Sequence, residues 1–102
     1  MRQLGIPQSG IIDHQSYDNN EALEWRVNSN CSQIRVKSRL FDTEACCDFL
    51  SIEGVSYSGS DVVDQIVGNI FLVEFKSDGS ETATGFSLEW ACTDPSGIYT
   101  AV

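Results

Sequence analysis

The feature that most restricts the fold of this chain is an alternation of apolar and polar residues with a period of two. Leu23, Trp25 and Val27 fall on one face of an extended segment, and the residues between them fall on the other. Side chains of a β-strand point alternately to opposite faces, so the pattern indicates half-buried strands. The other residues predicted to point inward are Ile34, Val36, Leu40, Leu50, Ile52, Phe71, Val73, Phe75, Phe86, Leu88 and Trp90.

These segments predict five strands, with two or three weaker strands beside them. Residues 61–68 are the best candidate for a helix, but the run is too short and too rich in β-branched residues to form one. Evenly spaced strands separated by turn residues are typical of an antiparallel sandwich or barrel. A chain of 102 residues has room for one domain with its own core. The sequence therefore predicts a single all-β domain.

The charge of the chain excludes one class of partner. Its formal net charge is -9, with 15 acidic residues against six Lys and Arg. Binding to a nucleic acid backbone depends on clustered cations, so a nucleic acid partner is not expected. No stretch approaches the roughly 20 apolar residues of a membrane-spanning helix, so membrane insertion is not expected either.

The N-terminus and the cysteines bear on cellular location. Residues 1–5 show no apolar core of a secretion signal and no cleavage site. Either the protein is intracellular, or the sequence is an excised segment that begins with an added methionine. None of the four cysteines belongs to a CxxC pair or has a neighbouring histidine, which favours disulfides over zinc. Disulfides are typical of secreted proteins, so the cysteines favour the second alternative.

Five short motifs follow one another in a fixed order: Tyr17-Asp18-Asn19-Asn20 with Trp25, Phe41-Asp42-Thr43-Glu44, Asp48-Phe49-Leu50-Ser51-Ile52, Phe75-Lys76-Ser77-Asp78-Gly79-Ser80, and Gly85-Phe86. In order and approximate spacing they resemble the signatures of CUB domains. The resemblance implies a jelly-roll-like β-sandwich of two antiparallel sheets, a secreted or extracellular location, and a binding role. It also divides the chain into a lead-in at 1–9, a CUB-like domain at 10–92, and a linker or edge segment at 93–102.

The same resemblance implies a calcium site at one end of the sandwich. Carried over residue by residue, its ligands are Glu44, Asp48 and Asp78, with a backbone carbonyl near Ser80 and water completing the shell. Tyr17 matches a tyrosine that braces an acidic ligand from outside the shell. Calcium prefers hard oxygen ligands and tolerates irregular geometry, which suits such loops. The alternative is that Glu44 lies in a solvated turn and that Asp78-Gly79 is an ordinary β-turn.

The cysteines depart from the pattern of the family. Leu23 and Ser58 stand where the resemblance would place half-cystines, so neither of the family's usual disulfides is expected. Cys31 opens the predicted strand of Ile34 and Val36, and Cys92 ends the strand of Phe86 and Trp90. If these strands are antiparallel neighbours, a Cys31–Cys92 disulfide can form.

The adjacent residues Cys46 and Cys47 are left over by this pairing. They would form a vicinal disulfide, remain two free thiols, or bond outside the domain. A vicinal disulfide would stiffen the turn that carries Glu44 and Asp48. The spacing of the cysteines does not decide between these three alternatives.

Catalysis is not expected of this chain. His14 is the only histidine and is predicted to lie exposed in a turn, and no nucleophile elbow or glycine-rich phosphate loop occurs. The resemblance instead implies a calcium-dependent interaction or adhesion module, part of a larger multidomain protein, that binds a Lys or Arg of a protein ligand. The alternative is a carbohydrate-binding module, dependent on calcium or not, that uses Tyr57 or Tyr99 as an aromatic platform.

Overall fold

The structure is a computed structural model that describes residues 9–93. The predicted lead-in at 1–9 and outgoing segment at 93–102 lie outside this range, apart from Ser9 and Thr93. Across residues 9–93 no helix has the length and apolar character needed to cross a membrane. The described chain forms eight strands: β1 (Ser9–Gln15), β2 (Ala22–Asn28), β3 (Ile34–Asp42), β4 (Phe49–Ile52), β5 (Val55–Tyr57), β6 (Asp64–Val67), β7 (Ile70–Lys76) and β8 (Gly85–Cys92).

The strands form two four-stranded sheets, in the order β1-β8-β3-β6 and β2-β7-β4-β5. Every pairing of strands is antiparallel. The chain passes from one sheet to the other at each connection except the β4–β5 hairpin and ends in the first sheet, so neither sheet is built from consecutive strands alone. This arrangement confirms the predicted all-β sandwich of two antiparallel sheets.

The core lies between the two sheets and is made largely of the residues that the alternation placed inward. Phe71, Phe75 and Phe86 are fully buried, and rings of Phe75 and Phe86 lie 5.2 Å apart. Trp25 and Val27 pack against this core while partly exposed, because β2 is an edge strand. Leu23, at the end of the same strand, keeps 36% of its surface exposed.

Leu40 was predicted to point inward, and the structure shows that this prediction is wrong. The register of β3 against β8 shifts between Ser38 and Leu40, so that Leu40 pairs with Ser87 and Phe41 pairs with Phe86. An extra residue in one strand turns the following side chains to the opposite face of the sheet. Phe41 is therefore buried beside Phe86, with ring centroids 6.3 Å apart.

Three connections meet at one end of the sandwich. Gly85, the first residue of β8, pairs with both Gln15 and Asp42, the last residues of β1 and β3. In the other sheet, Lys76 at the end of β7 pairs with Ala22 and with Phe49, where β2 and β4 begin. The connections 16–21, 43–48 and 77–84 therefore lie side by side. We call this group of connections the loop end of the domain.

Candidate metal centre

Asp48 is the anchor of the loop end. It lies immediately before β4 and is fully buried, which is rare for a carboxylate unless its oxygens are hydrogen-bonded. Its Oδ2 accepts a hydrogen bond of 2.6 Å from the hydroxyl of Tyr17, and its Oδ1 accepts one of 2.9 Å from the backbone amide of Asp78. Asp48 thus joins all three connections of the loop end.

Tyr17 supports the connections of the loop end from the side of the core. Its side chain is 2% exposed, and its ring lies edge-on to Phe75 with centroids 4.8 Å apart. Besides donating to Asp48, its hydroxyl accepts a hydrogen bond of 3.3 Å from the backbone amide of Glu44. Burial and the bond to Asp48 raise the pKa of Tyr17 to about 12, so its hydroxyl stays protonated at neutral pH. The structure shows the contact between Tyr17 and Asp48, and the implied role of Tyr17 as the brace of a calcium ligand stays a prediction.

Glu44 contributes a carboxylate oxygen that accepts no hydrogen bond from the described residues. Its carboxylate oxygen Oε1 is buried and has no hydrogen-bond partner in the part of the chain that the structure describes. Burial, and then the charges of Asp78, Asp48 and Glu81, raise the pKa of Glu44 above its ordinary value. A buried carboxylate oxygen without a partner is costly unless a donor or a cation satisfies it. The loop end therefore holds negative charge that lacks compensation.

Asp78 completes the cluster from the β7–β8 connection. One oxygen each of Glu44, Asp48 and Asp78 lie within 4.8 Å of one another. Two ligands on opposite sides of a calcium ion are separated by twice the metal–oxygen distance, or about 4.8 Å. The three carboxylates are therefore close enough to contact one cation, and their all-oxygen chemistry suits calcium rather than zinc.

Ser80 lies two residues beyond Asp78 in the same connection. Its backbone amide donates a hydrogen bond of 3.1 Å to Asp78 Oδ1, which closes a local turn. The implied role of Ser80, a carbonyl ligand, stays a prediction. The turn nevertheless fixes the direction from which the Asp78 carboxylate approaches the cluster.

Sequence reasoning missed two residues that support the site. Thr43 is 4% exposed, and its hydroxyl donates to the Asp48 carbonyl at 3.1 Å and accepts from the Gly59 amide at 3.0 Å. The Ser77 hydroxyl donates to the Asp18 carbonyl at 2.7 Å and accepts from the Glu21 amide. Both residues stood inside quoted motifs, but hydrogen bonds between distant loops leave no periodic signal in the sequence.

All four cysteines are paired in the structure. Cys31 is bonded to Cys92, with their Cα atoms 5.5 Å apart, and Cys46 is bonded to Cys47. The first disulfide joins β8 to the segment before β3, at the end of the sandwich opposite the loop end. The second is a vicinal disulfide within the turn between Glu44 and Asp48. Of the three alternatives for Cys46 and Cys47, the structure therefore shows the vicinal one.

His14 was predicted to lie exposed in a turn, and this prediction is wrong. It belongs to β1, with 25% of its side chain exposed, and its Nε2 lies 2.6 Å from Glu21 Oε1. Its ring is about 6 Å from those of Trp25, Phe75 and Phe86. The inward position follows from the alternation of β1, in which Ile12 is also buried.

The carbohydrate alternative names Tyr57 and Tyr99 as its aromatic platform. Tyr57 is half-buried, its ring lies 6.4 Å from that of Phe41, and its hydroxyl donates a hydrogen bond of 2.6 Å to Gln65. Tyr57 thus packs against the core and does not present an open surface for stacking. Tyr99 lies outside the described residues.

Solved structures provide an independent comparison. No family model matches the chain. The CUB1-EGF-CUB2 domain of human MASP-1/3 superimposes with a TM-score of 0.72 at 19% identity, over 86% of this chain and 42% of that chain. The chain therefore spans less than half of that structure. The MASP-1 CUB2 domain bound to Ca2+ superimposes with a TM-score of 0.64 at 16% identity, over 85% of this chain and 95% of that one. The two superpositions cover 86% and 85% of this chain and show that it has the fold of a CUB domain.

Proposed function

We propose that this protein is a calcium-binding extracellular interaction module without catalytic activity. Glu44, Asp48 and Asp78 hold one Ca2+, a carbonyl near Ser80 contributes, and Tyr17 braces Asp48. The observation that carries the proposal is the cluster itself: three carboxylate oxygens within 4.8 Å, one of them buried and without a partner in the described chain. The similar MASP-1 CUB2 structure is described as bound to Ca2+, which supports the same proposal.

The role of the ion is electrostatic. Bound Ca2+ supplies two positive charges that offset the mutual repulsion of the three carboxylates. Asp48 is held by Tyr17 and by the Asp78 amide, so its oxygens need little ordering on binding. Glu44 contributes an oxygen that is already desolvated. The three connections are thereby locked to one another at the loop end.

The partner that suits this surface is a protein ligand presenting a Lys or Arg side chain. Three carboxylates around one divalent ion retain a net negative charge, and Glu81 adds to the negative potential felt by Glu44. A cationic side chain placed beside the cluster gains from that potential, and charge complementarity raises both association rate and specificity. The disulfides support an extracellular location, where such bonds persist.

A thermal melt with calcium and with chelator tests the metal site. At ten times its dissociation constant, calcium would stabilise the fold by about 1.4 kcal/mol, which shifts the melting temperature of a small domain by several degrees. Chelation is expected to lower the melting temperature of the wild type but not that of Asp78→Ala. Asp13→Ala, which removes an exposed carboxylate of β1 outside the three connections of the loop end, is the matched control and should respond like the wild type. A wild-type melt that does not respond to chelator would refute the site.

The binding role needs a second experiment. A panel of short peptides with Lys, Arg or neutral residues at one position can be titrated against the calcium-loaded protein. Binding only of the cationic peptides, lost in Asp78→Ala, supports the proposed recognition. Saturable binding on a glycan array in place of peptide binding would instead support the carbohydrate alternative.

A further inference from the structure

We infer that the Cys46–Cys47 disulfide sets the calcium affinity of the cluster: the closed disulfide holds the high-affinity form, and its reduction weakens binding. The inference rests on the proposed calcium site and adds a redox control to it. Its starting point is position, because only three residues separate Glu44 from Asp48, and two of them are the bonded cysteines. The other disulfide within residues 9–93, Cys31–Cys92, lies at the opposite end of the sandwich.

The disulfide acts on Glu44 through the backbone. The ring that it closes contains the peptide bond between Cys46 and Cys47, so the Cys47 amide cannot rotate freely. That amide donates a hydrogen bond of 3.2 Å to the Glu44 carbonyl, which also accepts one of 3.1 Å from the Asp48 amide. Opening the ring releases the Cys47 amide, and the backbone that positions Glu44 gains alternative conformations.

Glu44 is the carboxylate that depends on this constraint. Asp48 is held independently by Tyr17, by the Asp78 amide and through its own carbonyl by Thr43. The Glu44 oxygen Oε1, in contrast, has no hydrogen-bond partner among residues 9–93. With the disulfide open, calcium binding must itself order the turn that presents Glu44, and that loss of conformational entropy weakens the affinity.

The vicinal disulfide is poorly suited to stabilising the whole fold. A cross-link stabilises a protein mainly by closing a long loop in the unfolded chain, and adjacent residues close almost none. That task falls to the Cys31–Cys92 disulfide, which spans 61 residues at the opposite end of the sandwich. The two bonds also differ in access, because Cys46 is exposed, whereas Cys31 is 7% exposed and Cys92 is only partly exposed. A reductant in solution therefore reaches the vicinal bond first.

The chemical step is a thiol–disulfide exchange with a dithiol reductant, such as dithiothreitol or a protein of the same dithiol class. One thiolate of the reductant attacks a sulfur of the Cys46–Cys47 bond, which breaks, and a mixed disulfide forms. The second thiol of the reductant then displaces the remaining cysteine. Two electrons and two protons pass to Cys46 and Cys47, which become thiols, and the reductant becomes a disulfide.

Calcium titration calorimetry of the oxidised and selectively reduced protein tests the inference. Alkylation and peptide mapping would verify that Cys46 and Cys47 are reduced while Cys31–Cys92 stays intact. We expect calcium to bind about tenfold more weakly after reduction, which corresponds to the ordering of roughly one backbone residue. The variant with both Cys46→Ser and Cys47→Ser should show the same weaker affinity and no response to reductant.

The redox equilibrium provides a second readout. Because coupling is reciprocal, saturating calcium should shift the thiol–disulfide equilibrium of Cys46 and Cys47 toward the disulfide by the same factor of about ten. Equal calcium affinity in both redox states, with no shift of this equilibrium, would overturn the redox control and leave the calcium site standing. Failure of the oxidised wild type to bind calcium would overturn both proposals.

Discussion

The Tyr17 hydroxyl lies 2.6 Å from Asp48 Oδ2, although the two residues are 31 positions apart in the sequence. Tyr17 follows β1 and Asp48 precedes β4, strands that belong to different sheets. A single buried hydrogen bond to a carboxylate therefore ties the two sheets together at the loop end. Hydrogen bonds to charged groups contribute about 1.5–3 kcal/mol to stability. This bond therefore stabilises the fold and also positions Asp48 in the site.

Replacing Tyr17 with Phe should lower the free energy of unfolding by about 2 kcal/mol. The substitution keeps the ring against Phe75 but removes the donor to Asp48 and the acceptor for the Glu44 amide. Denaturant unfolding without calcium measures the loss. Tyr57→Phe, which removes a hydroxyl bonded to Gln65 of β6 rather than to a carboxylate of the cluster, is the control for deleting a phenol oxygen. Calcium affinity should fall in Tyr17→Phe and hold in the control.

Alkaline pH should break the hydrogen bond between Tyr17 and Asp48. The pKa of Tyr17 is about 12 in the folded protein against an ordinary value of 10.0, so the unfolded chain loses this proton first. The stability that the raised pKa provides is present in full below pH 10 and is lost as the pH rises through about 12. Tyrosinate absorbance of the wild type minus that of Tyr17→Phe should give a midpoint near 12. A midpoint near 10 would contradict the buried bond.

Glu44→Gln should have opposite effects with and without calcium. Burial and neighbouring carboxylates raise the pKa of Glu44, so its ionised form costs stability once the pH exceeds its ordinary pKa. In chelator at pH 7 the neutral variant should therefore melt above the wild type. At saturating calcium the order should reverse, because the wild type keeps the carboxylate that binds the ion. An unchanged order in both buffers would remove Glu44 from the site.

In chelator, the difference in melting temperature between the wild type and Glu44→Gln should also depend on pH. In chelator, lowering the pH protonates Glu44 in the wild type and removes the cost of its charge. The gap between wild type and Glu44→Gln should therefore shrink as the pH falls through the raised pKa. Melting curves at several acidic pH values would show the trend. A gap that widened toward acid would contradict the direction of the pKa shift.

Removing the Cys31–Cys92 disulfide should destabilise the domain without touching the metal cluster. The bond spans 61 residues, for which loss of loop closure corresponds to about 4 kcal/mol. The variant with Cys31→Ala and Cys92→Ala should unfold at lower denaturant concentration. Its calcium affinity, measured under conditions where it remains folded, should equal that of the wild type. A large loss of affinity would show that the two ends of the sandwich are coupled.

Gly85→Ala should be among the most damaging single substitutions. Gly85 has φ +106, a conformation that other residues rarely adopt, and an added Cβ would collide with the His14 carbonyl and lie 2.8 Å from Gln15 Cα. The expected loss is about 3 kcal/mol. Gly68→Ala is the matched control, because nothing lies within 4 Å of a Cβ at that position. Urea midpoints of the two variants give the comparison, and equal midpoints would contradict the structure.

How far the sequence predicts this protein can be judged from β3. The alternation correctly placed Ile34 and Val36 in the core, because the two faces of a regular strand follow from local geometry alone. It failed at Leu40 because the bulge after Ser38 is imposed by pairing with β8, 45 or more residues away in the chain. Periodicity contains no information about a partner strand, so it cannot locate such a shift.

For the candidate site too, some properties follow from the sequence and others only from the tertiary structure. The sequence motifs named Glu44, Asp48 and Asp78, and the occupancy of that site by calcium stays a prediction. Only the tertiary structure showed that Asp48 is fully buried, that a Glu44 oxygen lacks a partner in the described chain, and that Cys46 is bonded to Cys47. These properties arise where three connections from two sheets meet. The sequence by itself determined which residues could point inward and which could bind a cation, because both depend on residue type and local spacing. The packing of the sheets decided which of those groups are desolvated, braced or cross-linked, because that depends on contacts between distant segments.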